Sequence, residues 1–199
     1  MDGDSTGSED VTHATESVAK KTVLPILFAL AFSHLLNDAF QSLIPAMYPL
    51  LKKSYDLNFA QIGIITMTYQ FVASILQPVV GWYTDRSPKV YALTMAMSFT
   101  AIGLVCFGLA GSFAMLLVAV GFIGFGSSIF HPESSRVAYF ASGGRKGMAQ
   151  SIFQVGGRVG SSMGPLLAAF IILPLGQFSI VWFAVIAVLG AIFLSFVGR

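Results

Sequence analysis

The chain has 199 residues, of which 55% are hydrophobic and 10% charged, and its mean hydropathy is +0.78. Soluble domains carry about 25% charged residues, so the composition excludes an ordinary water-soluble domain, a disordered chain and a nucleic-acid binder with a broad basic face. The net charge of +2 implies no acidic partner, and a single cysteine excludes an intramolecular disulfide; Cys106 lies in an apolar run and reads as inert packing.

Residues 1–21 form the one sustained hydrophilic stretch. It is acidic, rich in Ser and Thr and free of large aromatics, which predicts a disordered tail. Lys20 and Lys21 precede an apolar run that is too long for the core of a signal peptide.

From Thr22 onward, long apolar runs alternate with short polar breaks. A helix needs about 20 residues to span the hydrocarbon core. Six segments are candidates: about 23–51, 59–83, 90–110, 113–140, 147–173 and 180–197. They are too long and too poorly alternating for barrel strands of about 10 residues, and only helices or closed barrels satisfy their backbone in lipid. The expected fold is all-α: a polytopic six-transmembrane-helix bundle over residues 22–199, embedded in a lipid bilayer. With the N-terminus inside, the inner segments hold seven basic residues (Lys20, Lys21, Arg86, Lys89, Arg145, Lys146 and Arg199) and the outer ones two, Lys52 and Lys53. That asymmetry predicts that both termini are cytoplasmic.

An ionisable side chain at the bilayer centre costs roughly 2.5–3.5 kcal/mol even on lenient scales, so it requires a partner or a wet cavity. Five qualify: His34, Asp38, His131, Glu133 and Arg158, with Arg136 nearer a helix end. In the first segment His34, Asp38, Gln41 and Pro45 share one helical face. That stripe is either a hydrogen-bonding seam between helices or the lining of a cavity. The fifth segment carries a row of Gln150, Gln154 and Arg158, and a second row of Gly156, Gly160 and Gly164 spaced by four. The glycines allow close approach of another helix.

Asp38 lies about 15 residues along its helix and Arg158 about 12 along its own, depths that agree within about 5 Å at 1.5 Å per residue. The two are expected to face and neutralise each other, unless one of them meets substrate or a proton. In the fourth segment Pro132 removes a backbone donor beside His131 and Glu133, a pattern found where membrane helices line binding cavities. Glu133 and Arg136, three apart, could equally pair with each other. His131 is a titrating group or a satisfied buried imidazole. Gln70, Ser74 and Gln77 add a weaker polar face on the second segment.

Enzyme signatures are missing. There is no Gly-rich phosphate loop with Lys-Ser/Thr and no G-x-S-x-G elbow. The three histidines lie far apart in sequence, without metal-ligand spacing. No cofactor, metal or nucleic-acid partner is expected.

Two motifs carry a resemblance. Gly81 to Lys89, with Asp85 and Arg86, resembles the G-x-x-x-D-R-x-G-R/K loop of the major facilitator superfamily, with Pro88 in place of the second Gly. Gly160 to Ala169, containing Gly164-Pro165, resembles the G-x-x-x-G-P-x-x-G-G motif of that superfamily's drug–proton antiporters, with Ala168 and Ala169 at the last two positions. The strings 33–38, 76–81, 130–137 and 150–157 are similar to an antibiotic-efflux branch of the superfamily. The resemblance implies proton-coupled export of a small drug across the bacterial inner membrane, with two six-helix bundles around a central cavity. A second bundle is therefore an expected partner. On this transporter reading Asp38 and Glu133 are expected to couple protons, His34, Gln41, His131, Arg136, Gln154 and Arg158 to border the substrate or proton path, and Gly81, Asp85 and Arg86 to serve a cytoplasmic gate. The alternative is a truncated or non-transporting membrane module that associates with another membrane chain.

Overall fold

The computed structural model describes residues 22–86, 89 and 91–197. The expected tail, and with it Lys20 and Lys21, lies outside the described residues, as do Ser87, Pro88 and Arg199. Among the described residues there is no strand, and eight α-helices follow in chain order. They are α1 (Leu24–Ala46), α2 (Tyr48–Ser54), α3 (Phe59–Arg86), α4 (Ala92–Gly108), α5 (Phe113–Ala141), α6 (Lys146–Leu167), α7 (Leu173–Leu175) and α8 (Val181–Val197). Five spans are long and apolar enough to cross a membrane: Leu24–Ala46, Phe59–Arg86, Phe113–Ala141, Lys146–Leu175 and Gln177–Phe196. Ala92–Gly108 is a shorter apolar helix.

The first apolar segment is two helices rather than one. Pro49 has no N–H to offer the carbonyl of Pro45, so the ladder is interrupted at Met47. Flanking bonds carry the chain through, from Met47 N to Leu43 O at 3.0 Å and from Leu51 N to Met47 O at 3.0 Å. The fifth segment widens after Pro165 into a π-turn at Ala168–Ile172. It ends at Gly176, whose φ of +83° is a left-handed backbone that favours glycine. In contrast, α5 runs through Pro132 unbroken. Two residues on, Ser134 Oγ donates to the Phe130 carbonyl at 2.5 Å.

The packing has two main seams. α6 lies along α1, while α5 sits between α3 and α4, and α8 closes on α4. Leu27, Leu30, Phe40, Leu43, Phe107, Phe130 and Leu194 are buried between these helices. Phe28, Phe32, Phe71, Trp182, Leu189 and Phe196 are exposed on the outside, the surface that hydrocarbon solvates at no cost. At one end the Tyr55 hydroxyl lies 2.8 Å from Gln177 Oε1 and 2.5 Å from the Ala110 carbonyl. Gln177 Nε2 donates to the Phe107 carbonyl at 2.7 Å. Three inter-helix turns are thereby tied together.

Glycines set the tighter seam. A Cβ on Gly156 would overlap the carbonyl of Ala31, one on Gly160 that of Leu35, and one on Gly164 the side chain of Ser42. Backbones this close gain dispersion that larger side chains would prevent, which matters most in a medium with no hydrophobic drive between helices. Gly160→Val is therefore expected to force α1 and α6 apart and cost at least about 1–3 kcal/mol. Gly63→Ala, at a site with nothing within 4 Å, should leave the melting temperature unchanged or raised. Thermal unfolding of the detergent-solubilised protein measures both.

Candidate functional site: a polar cavity inside the bundle

The close approach of α1 and α6 brings polar groups into the apolar interior. His34 of α1 is buried, and its ring stacks on Phe153 of α6 with centroids 4.0 Å apart and planes at 17°. Its Nδ1 lies 2.8 Å from the Phe153 carbonyl. A carbonyl only accepts, so Nδ1 carries the proton and the ring is fixed with Nε2 turned the other way. There Asp38, one turn along α1, places Oδ2 3.3 Å from Nε2. His131 of α5 approaches from a third helix, with Nε2 3.7 Å from Asp38 Oδ1. The two imidazoles meet edge to face at 5.2 Å. Gly157 completes the arrangement, since a Cβ there would overlap the His34 ring and come within 2.8 Å of Asp38 Oδ2.

This cluster borders a cavity of about 460 Å³ lined also by Gln77, Pro132, Ser135, Gln154, Arg158 and Ser161. A second cavity of about 270 Å³ begins where the first ends and shares Asp38 and Ser161 with it. Gln41, Pro45, Tyr48, Thr66, Tyr69 and Gln70 line the second. There the Tyr69 hydroxyl donates to Gln41 Oε1, and Tyr48 and Thr66 hydroxyls bond at 2.7 Å. Gln41 Nε2 has no protein partner, a buried donor that water or a ligand in this cavity would satisfy. The polar face of α1 is thus a cavity lining from His34 to Pro45, while Asn37 beside it is buried.

Not every expected residue joins the cavities. Glu133 and Arg136 pair with each other, through Nη2 to Oε2 at 2.7 Å, Nη2 to Oε1 at 3.0 Å and Nε to Oε2 at 3.1 Å. The Glu133 side chain is 2% exposed, and neither residue lines the two cavities described. The expected Asp38–Arg158 pair does not form: among the described residues the ionic partners of Asp38 are His34 and His131. Matched depth did not decide the pairing because rotation about the helix matters too. Gly157 faces Asp38, so Arg158, about 100° further round α6, lies on the cavity wall instead, exposed. Gln150 bonds Ser135 at 3.0 Å and lies outside both cavities.

Gly81 sits where α3 passes Pro132, and a Cβ on it would lie 3.8 Å from the Pro132 Cβ. Asp85 and Arg86 are exposed at the end of α3, with the Arg86 guanidinium 3.9 Å over the Trp82 ring. They are apart from the cavities.

Sequence reasoning passed over Gly157, Phe153, Tyr69 and Ser161. A polar residue facing an ionisable one across a helix pair leaves no trace in either helix's own periodicity. The sequence distance between His34 and His131 was likewise no guide. His34, Asp38 and His131 each offer a ligand atom, and all three lie within 4.8 Å of one another. For the ion pair, Arg136→Ala is expected to destabilise the protein by about 3–5 kcal/mol, because Glu133 stays buried without its counter-charge. Adding Glu133→Gln should recover most of that loss, read as melting temperature in detergent.

Comparison with known proteins agrees with this architecture. The profile of the Major Facilitator Superfamily matches residues 30–199. The chain is 54% identical over 192 residues to the fosmidomycin resistance protein of Escherichia coli (strain K12), covering 96% of this chain and 47% of that protein. It is 50% identical over 178 residues to the uncharacterized MFS-type transporter YfnC of Bacillus subtilis (strain 168), covering 89% of this chain and 44% of that one. The chain thus spans about half the length of the curated relatives it matches. In fold it is similar to a bacterial homolog of the human lysosomal transporter Spinster, crystallised inward-facing and occupied. The TM-score is 0.76 at 19% identity, over 90% of this chain and 45% of that one. A six-segment helical bundle, a polar interior between apolar walls and a superfamily profile over most of its length lead to one conclusion: this chain belongs to the major facilitator superfamily.

Proposed function

We propose that this chain is the N-terminal half of a secondary transporter that exports a small antibiotic across the bacterial inner membrane, driven by protons. The observation that carries the reading is the cavity: a polar space bordered by His34, Asp38, His131 and Arg158 inside helices that are otherwise apolar. Ionisable groups are retained at such depth where a substrate or ion passes. The relative named for fosmidomycin resistance supports an antibiotic as the cargo, and the excess of basic residues in the inner segments supports cytoplasmic termini.

The roles divide by access. Asp38 is 16% exposed and borders both cavities, so it is open to a proton from either. Glu133, held by Arg136, has no such access and anchors α5. Arg158, exposed on the cavity wall with no carboxylate in reach among the described residues, meets an anionic group of the cargo, with Gln154 and Gln41 as neutral hydrogen-bonding contacts. The second six-helix bundle closes the cavity from the far side. Asp85 and Arg86, exposed at the end of α3, serve as the gate contact with that bundle.

Asp38→Asn in the whole transporter is expected to abolish antibiotic resistance while leaving the amount of protein in the membrane unchanged. A collapsed proton gradient should raise accumulated drug in wild-type cells to the level of the variant. Undiminished resistance in Asp38→Asn would remove this carboxylate from the mechanism.

A further inference from the structure

The geometry points to a binding site for a divalent first-row transition ion at His34, Asp38 and His131, within the cavity wall. The inference goes beyond transport and stands on the triad alone.

The contacts within the triad converge on one carboxylate. With its proton on Nδ1, facing the Phe153 carbonyl at 2.8 Å, a neutral His34 presents a lone pair at Nε2. That lone pair faces carboxylate Oδ2 at 3.3 Å, an arrangement that either a proton or a metal cation between the two would satisfy. The 3.3 Å contact to Oδ2 and the 3.7 Å contact from His131 Nε2 to Oδ1 set both imidazoles against one carboxylate at spacings close to those of ligands that share an ion. At metal–nitrogen and metal–oxygen distances of about 2.0–2.1 Å, tetrahedral ligands sit about 3.3 Å apart. All three ligand atoms lie within 4.8 Å of one another, and the widest of these spacings has to shorten for all three to ligate one ion.

The supporting shell has the form such sites take. A ligating histidine donates its second ring nitrogen to a carbonyl or carboxylate, which fixes tautomer and orientation; His34 does this to Phe153. Phe153 also stacks on the ring, and Gly157 leaves no side chain where the ion's ligands converge. Two imidazoles and one carboxylate suit Zn²⁺, Co²⁺ or Ni²⁺ and disfavour Mg²⁺ and Ca²⁺, which take oxygen. Three protein ligands leave a coordination position open toward the 460 Å³ cavity. The ion with one carboxylate keeps a net positive charge, so that position favours an oxyanion, which Arg158 on the same wall would contact from its other side.

The probe is Co²⁺, titrated into the full chain purified in detergent without a polyhistidine tag. One equivalent is expected to give a visible ligand-field absorption that one equivalent of Zn²⁺ bleaches. His131→Ala and Asp38→Asn should each weaken binding at least tenfold, with unchanged helical content and elution volume. His13→Ala, the remaining histidine of the chain, should have no effect. Absence of saturable binding up to about 1 mM, the weak limit of specific affinity, would overturn the proposal. So would equal affinity in His131→Ala. Co²⁺ binding by a protein that exports no antibiotic would leave the metal site standing, and export without Co²⁺ binding would remove the site and leave the transporter.

Discussion

The polar interior depends on how closely α1 and α6 approach. Gly156, Gly160 and Gly164 leave the backbones of Ala31, Leu35 and Ser42 in direct contact with α6. No other spacing would let Phe153 stack on His34 and accept its Nδ1 proton, or put Gly157 against Asp38. A glycine row usually reads as packing alone. Here the packing distance is also what orients an imidazole, and through it a carboxylate.

Low dielectric explains the rest of the arrangement. Apart from Arg158, which lines the cavity wall, the ionisable side chains inside the bundle have one of two solutions. Glu133 and Arg136 neutralise each other on one helix face, three residues apart, and need no other element. His34, Asp38 and His131 are gathered from α1 and α5 around a space large enough for water or a ligand. The first solution is structural, since a paired charge with 2% exposure has nothing left to bind. The second leaves unsaturated coordination and hydrogen-bonding capacity facing a cavity, which is where ligand chemistry is possible.

The helices were legible because the bilayer imposes length and apolarity on every spanning segment. Their irregularities were legible only in part. Pro45 and Pro49 are spaced by four, and that spacing is what interrupts the first segment at Met47. Pro132 breaks no helix: α5 runs through it from Phe113 to Ala141. The site residues stood out singly, as charges in apolar runs, but their partners did not. Depth along a helix follows from counting residues, whereas rotation follows from which neighbours pack. Asp38 and Arg158 match by residue count, yet the structure gives Asp38 to His34 and His131.

Composition and periodicity by themselves determined the class of protein, the approximate spans and the short list of His34, Asp38, Gln41, His131, Glu133 and Arg158. These follow from transfer free energies that act on each residue independently. Only the tertiary structure decided that Asp38 belongs to two histidines rather than to Arg158, that Glu133 is closed off by Arg136, and that Gly157 is part of the site. Those are relations between helices distant in sequence, set by rotation and interhelical distance, which no single segment encodes.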